Sequence, residues 1–372
     1  MAQSSIGGRA VPLPDAIDEA ARLIAKSRRP LVAGLGADIA GARAALRLAA
    51  QIGASFDHMH SSWLLRDLDV AREHGVMLTT PGEARLRADV VLAVGAGLAE
   101  AGLWHVWPDM AANASAPGAA AARRILRIDA EAGDGVGFEA EAARDGAQIN
   151  ASFVAATLSE ALALVRARVA KRPVRLGAAR VAEIDAFVAQ LRSAAFGVAV
   201  WSAGQMNALS LEMLCGLVRD LNAATRFTGL ALQPGDNAAG VLQACGWTTG
   251  LPMRTSFGRG DADHDPWAFE AGRLMASGEA DCAVWISAYG APAPNWPRKP
   301  PLIALCGDGA VFAMPPSVEI RVGRPGVDHA GIDYCARAGT LSAFAAERPT
   351  DAPSVAYVLD QLSSALARGA PC

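Results

Sequence analysis

At 372 residues the chain is longer than one hydrophobic core usually serves, so two domains are expected. A formal net charge of -3, with basic residues that are almost all arginine and scattered along the chain, argues against nucleic acid as a partner. No apolar stretch has the length of a signal peptide or a membrane span, which implies a soluble, cytoplasmic protein without membrane attachment. Hydrophobic residues make up 52% of the chain against 19% charged, and such an apolar balance implies surface buried against other subunits, hence a hetero-oligomer.

The opening half alternates short apolar runs with amphipathic stretches, the pattern of strand-helix-strand units feeding a parallel sheet. Strands are predicted at 29–37 ("RPLVAGLGA"), 54–59, 89–97 and 123–131. Ile17, Ala20, Ala21 and Ile24 give helical spacing to 15–27, and a second helix over 40–54 stops at Gly53. Residues 112–122 read as a low-complexity connection and 133–150, rich in glycine and charge, as a loop. A boundary placed there divides the chain into a first Rossmann-like α/β unit, 1–146, and a second, 147–372.

The second unit opens with a helical stretch at 152–171, followed by strands at 197–203, 225–232, 282–289, 301–308 and 317–323. Leu209, Met213, Leu217 and Leu221, with Leu214 and Val218 beside them, give a helix at 205–221 a broad buried face. A Pro-Gly-Asp-Asn turn leads into a helix starting at Asp236, residues 291–301 form a Pro-rich surface loop, and a last helix at 353–368 can pack on either unit. The expected architecture is therefore α/β, two tandem doubly wound units.

Several constellations invite chemistry. "AGLGADIAG" (33–41) approaches a dinucleotide fingerprint, but its third glycine is displaced to Gly41 and no acidic residue ends the second strand, so tight turns in a parallel sheet are the favoured reading. His58 and His60 form an HxH pair at a strand end, where period-two geometry points both rings to one side. Of the other histidines, His74, His105, His264 and His329, none follows an obvious strand, and a pair hydrogen-bonded to neighbours or solvent is favoured over zinc. "LCGDGA" (305–310) suggests the Gly-Asp-Gly of thiamine diphosphate enzymes, yet the expected Asn-Asn pair does not follow, leaving Asp308 as a turn residue. There is no GxSxG, and the six cysteines, spaced 24 to 37 residues apart from Cys215 to Cys372, lack iron-sulfur or zinc spacing. Eight tryptophans against three tyrosines are read as packing at domain or subunit contacts rather than as a cofactor stack.

Three stretches, 19–58, 217–260 and 315–339, resemble the B subunit of formylmethanofuran dehydrogenase and, more closely, the shortened B subunit of bacterial formyltransferase/hydrolase complexes. The block "TRFTGLALQPGDNAAGVLQACGWTTG" (225–250) lies in the most specific of them. The resemblance implies the molybdopterin-oxidoreductase core without its iron-sulfur domain. In metal-bearing members an N-terminal cysteine cluster holds [4Fe-4S], a Cys or Sec ligates tungsten or molybdenum, and a "GSNP"-type turn helps to hold the pterin. Here the first cysteine is Cys215, Trp63 in "DHMHSSWLLRD" falls where the metal thiolate should stand, and "GAGLAE" (95–100) replaces the turn, bringing Glu100 toward pterin phosphates.

No catalytic, cofactor-binding or metal-binding residue is therefore assigned, and no cofactor is expected. The resemblance implies a scaffold subunit of a complex that converts formyl-tetrahydromethanopterin to formate through a methanofuran-type carrier. Its partners would be a formyltransferase subunit, an amidohydrolase-type hydrolase subunit and a further small subunit. Two alternatives stay open: a metal-pterin held through His58 or His60, and a thiamine diphosphate-type enzyme fragment.

Overall fold

A computed structural model describes residues 4–110, 123–131, 135–144, 146–291, 294, 296 and 300–369. The expected connection at 112–122 and most of the 291–301 loop lie outside these residues. The chain forms two α/β units, but they are nested rather than tandem. One comprises Met1–Leu65, Gly235–Tyr334 and Leu341–Cys372; the other comprises Arg66–Pro234 with Cys335–Thr340.

The discontinuous unit is built on a nine-stranded sheet. Five of its strands are parallel, in the spatial order Ser55–His58, Pro30–Gly36, Cys282–Ser287, Leu302–Cys306 and Val318–Arg321. Every residue of Pro30–Gly36 and Cys282–Ser287 is buried, as expected of central parallel strands covered on both faces. Short antiparallel strands finish the edges, Thr255–Ser256 and Asp263–His264 at one end and Ser4–Ile6 and Arg9–Ala10 at the other.

Helices Leu13–Ala25, Ile39–Ile52, Ala238–Thr249 and Val355–Gly369 bury their apolar sides in one core cluster with this sheet. Helix Ala271–Ser277 packs with Leu31, Ala33, Ala283 and Trp285 in another. Asp38 caps the Ile39–Ile52 helix by accepting from the Gly41 N–H at 2.9 Å, and Gly53, at φ 66°, ends it in the left-handed region.

The second unit carries an all-parallel five-stranded sheet in the order Ile149–Ala155, Arg124–Ala130, Val90–Val94, Gly197–Ser202 and Phe227–Leu232. Helices Leu158–Val169, Ala178–Arg192 and Ala208–Leu221 share one apolar cluster with it. Phe138, Trp107 and Leu103 belong to a separate one. In both sheets the strand order reverses beside the first parallel strand of the unit, Pro30–Gly36 in one and Val90–Val94 in the other, the doubly wound arrangement expected from the sequence.

Several expectations are corrected. The boundary at 146/147 falls inside the second unit, between helix Gly135–Arg144 and strand Ile149–Ala155. Alternating apolar runs reveal that strands exist but not which ones pair, so four strands read as one sheet belong to two. The 133–150 loop contains that helix and the start of that strand, and the 152–171 helix begins only at Leu158, after Thr157 accepts from the Glu160 N–H. The helix expected at 205–221 is a 3-10 turn at Ala203–Gln205 followed by Ala208–Leu221. Its buried face runs through Leu211, Leu214, Leu217, Val218 and Leu221, leaving Leu209 52% exposed because Asn207, the cap, shifts the start of the periodic run.

Candidate functional site

Open α/β sheets bind ligands outside the carboxyl ends of their strands, where the strand order reverses. In the nine-stranded unit that point lies between Pro30–Gly36 and Cys282–Ser287, and a polar cluster has formed around it. Strand Ser55–His58 delivers His58, only 2% exposed, and the following turn delivers His60. The His58 Nε2 donates to the Asp236 carbonyl at 3.1 Å, while its Nδ1 accepts from the His60 backbone N–H at 3.0 Å. Both ring nitrogens are thereby used in the neutral form, and burial pushes the imidazole down to about 4. His60 Nε2 lies 3.0 Å from Asp236 Oδ2, and the Trp63 ring stands 5.5 Å from the His60 ring.

Asp57, the neighbour of His58, is equally constrained. Ser61 donates to one carboxylate oxygen at 2.5 Å and the Ala271 N–H to the other at 2.9 Å. Burial outweighs these bonds and raises its carboxyl to about 6.

The Pro-Gly-Asp-Asn turn proves to be a crossing between units. Strand Phe227–Leu232 is the edge of the five-stranded sheet, whereas helix Ala238–Thr249 packs in the other unit, so the two do not form one strand-turn-helix element. Asp236 and Asn237 both adopt φ 55°, uncommon for residues with a side chain. The helix starts two residues later than expected, after Asn237, whose side chain does not cap it. Instead Asn237 Nδ2 donates to the Ala37 carbonyl at 2.8 Å and Oδ1 accepts from the Tyr334 N–H at 2.9 Å. Periodicity could not reveal this pinning role, since its partners are remote in sequence.

Nearby, Tyr289 donates to Asp333 at 2.8 Å. Burial, then the Asp333 charge, raises the phenol, and burial raises the Asp333 carboxyl.

In the five-stranded sheet the reversal falls between Val90–Val94 and Gly197–Ser202. There the chain fills its own turn. A Cβ on Gly97, at φ 71°, would stand 2.5 Å from the Gln205 side chain, and one on Gly95, at φ 73°, would stand 3.0 Å from Leu158. Glu100 is exposed. The 307–309 turn is likewise structural: a Cβ on Gly307 would stand 2.3 Å from the Ala288 carbonyl, and Asp308 is exposed.

A tungsten or molybdenum pterin does not fit these residues. Among the described residues no group of three or more His, Cys, Asp or Glu side chains is placed to hold a metal ion. The stretch 57–67 contains no cysteine. Cys215, Cys245, Cys282 and Cys306 are buried thiols raised to about 11 or 12, the wrong direction for a metal ligand; Cys372 lies outside the described residues. Trp107, Trp201 and Trp285 are buried in the cores, whereas Trp247 and Trp267 are 54% and 71% exposed.

No protein-family model matches the chain. It is 33% identical over 353 residues to the B subunit of the formyltransferase/hydrolase complex of Methylorubrum extorquens, covering 94% of this chain and 92% of that protein. It is 26% identical over 296 residues to the B subunit of the tungsten-containing formylmethanofuran dehydrogenase 2 of Methanocaldococcus jannaschii, covering 76% of this chain and 65% of that longer relative. In three dimensions it matches a chain in the crystal structure of the formyltransferase/hydrolase complex from Methylorubrum extorquens in complex with methylofuran. There the TM-score is 0.86 at 32% identity, over 98% of this chain and 99% of that one.

Proposed function

The chain belongs to the family of formyltransferase/hydrolase complex B subunits, and on that premise we propose that it is a scaffold subunit of such a complex without chemistry of its own. The observation that carries this reading is the near full-length match, in sequence and in three dimensions, to a protein that works inside an assembly. Two features of the chain support the loss of catalysis. His58 spends both ring nitrogens on Asp236 and His60, His60 Nε2 meets Asp236 Oδ2, and Gly97 is covered by Gln205. A fold can persist for its contacts after its site has been dismantled.

The partners proposed are a formyltransferase subunit, an amidohydrolase-type hydrolase subunit and a further small subunit, in a cytoplasmic assembly that moves a formyl group from formyl-tetrahydromethanopterin through a methanofuran-type carrier to formate. Among the described residues no helix is long and apolar enough to cross a membrane. The thiamine diphosphate alternative loses its footing with the family membership.

The test is affinity purification of the tagged chain from its native cell, with elemental analysis of the eluate. Retention of formyltransferase and hydrolase subunits, without tungsten or molybdenum in proportion to this chain, is expected. A well-behaved solitary chain would overturn the assembly reading, and stoichiometric tungsten would restore a catalytic one.

A further inference from the structure

Trp267 is 71% exposed, although an indole is among the largest apolar surfaces a chain can leave in water. It is also held still. Asp265 accepts from the Trp267 and Ala268 N–H groups at 2.8 and 2.7 Å, and Arg254 Nη1 donates to the Pro266 carbonyl at 2.6 Å. Arg273 Nε donates to the Trp267 carbonyl at 3.1 Å, and its guanidinium stands 4.6 Å from the centre of the indole. An exposed indole on a pinned loop has given up its conformational freedom before anything binds it, as the anchor of an interface does.

Arg273 also lines a cleft of about 330 Å³ within the nine-stranded unit, where Pro30 and Ser55 begin two of the parallel strands. Phe269 and Leu274 supply apolar lining. The charges in the lining are unequal, with Arg28, Arg29, Arg259 and Arg273 against Asp263 and Glu279. Glu279 is divided between Arg273 and Arg29, and Asp263 stands 3.4 Å from Arg259. The Arg28 guanidinium has no hydrogen bond or ion pair among the described residues. Asp265 and Asp281, close by in sequence, are already occupied by backbone N–H groups. A chain of net charge -3 thus sets an excess of positive charge beside an exposed indole. A small free anion would answer the charge and leave the indole in water; a protein surface can cover both.

We propose that Trp267 and this cleft are a docking surface for another subunit of the complex, one that presents an apolar side chain flanked by Asp or Glu. The apolar group packs against Trp267 and Phe269, and its flanking carboxylates meet Arg28 and Arg259. The inference rests on the scaffold reading and gives it a location on this chain.

Complexes purified from the native cell through the tagged parent chain or its variants test this. In hydroxyl-radical footprinting of the intact complex, Trp267 should be oxidised several-fold less than an added tryptophan-containing peptide. Dissociation on dilution, followed by mass photometry, should show Trp267→Ala weakening the hold on a partner subunit about thirtyfold, with Trp267→Phe costing less. The double variant Arg28→Glu, Arg259→Glu should weaken it about tenfold at low salt and less at high salt. Should Trp267→Ala fail to fold, the double variant, whose side chains are exposed, carries the test. Partner subunits held alike by the parent and the folded variants, or Trp267 oxidised like the free peptide in a complete complex, would overturn this surface and leave the scaffold reading standing. A parent chain that purifies without partner subunits removes both.

Discussion

Burial sets His58 and Asp57 against their ordinary charges, and in opposite senses. His58 titrates near 4 in the folded chain and near 6.5 unfolded, so its contribution to stability is present above 6.5 and is lost as pH falls toward 4. Asp57, raised from 3.8 to about 6, does the reverse: its contribution is greatest at low pH and is lost as pH rises through about 6. Between these values the two slopes oppose each other. His58→Gln should unmask the Asp57 slope, and the stability of the parent relative to the variant should grow by up to ~3 kcal/mol from pH 4 to 6.5. Denaturant titrations across that range would show it; a constant difference would mean that His58 takes up its proton alike in the folded and unfolded chain. At Gly97 the demand is steric, because a left-handed φ and the Gln205 side chain both exclude a Cβ. Gly97→Ala should cost about 1–3 kcal/mol, part of it recovered in a Gly97→Ala, Gln205→Ala double variant if crowding contributes.

Helix Ala238–Thr249 depends on Asn237 more than on its own periodicity. The side chain ties the helix start to the Ala37 carbonyl and the Tyr334 N–H, and Gly240 leaves room for it, since a Cβ there would stand 2.1 Å from Asn237 Oδ1. Asn237→Ala removes both bonds and places alanine in the left-handed region, at a cost of about 2–4 kcal/mol. Hydrogen exchange should quicken in 238–249 while strands Val90–Val94 and Gly197–Ser202 keep their protection. The helix itself was legible from its apolar run. Its pinning was not, because hydrogen-bond partners some 200 and 97 residues away leave no local pattern.

Nesting makes the second unit almost continuous in sequence and the first strongly discontinuous. Damage in the five-stranded sheet should therefore report over one span of chain. Leu92, fully buried at its centre, is the place to test this. Leu92→Ala should cost about 2–5 kcal/mol, and exchange protection should fall chiefly within 66–234. Loss spread evenly over all five parallel strands around Pro30–Gly36 would show that the two cores unfold as one.

Apolar runs and glycine stops determined on their own that this chain is α/β, where most central strands lie, and that a helix over about 40–52 stops at Gly53. Only the tertiary structure decided which strands share a sheet, that 227–232 and 238–249 part company, and that Asn237 is tied to Ala37 and Tyr334. The physical reason is range: backbone propensity and burial periodicity act over a few residues, whereas strand pairing and hydrogen-bond satisfaction are settled between groups that only the fold brings together.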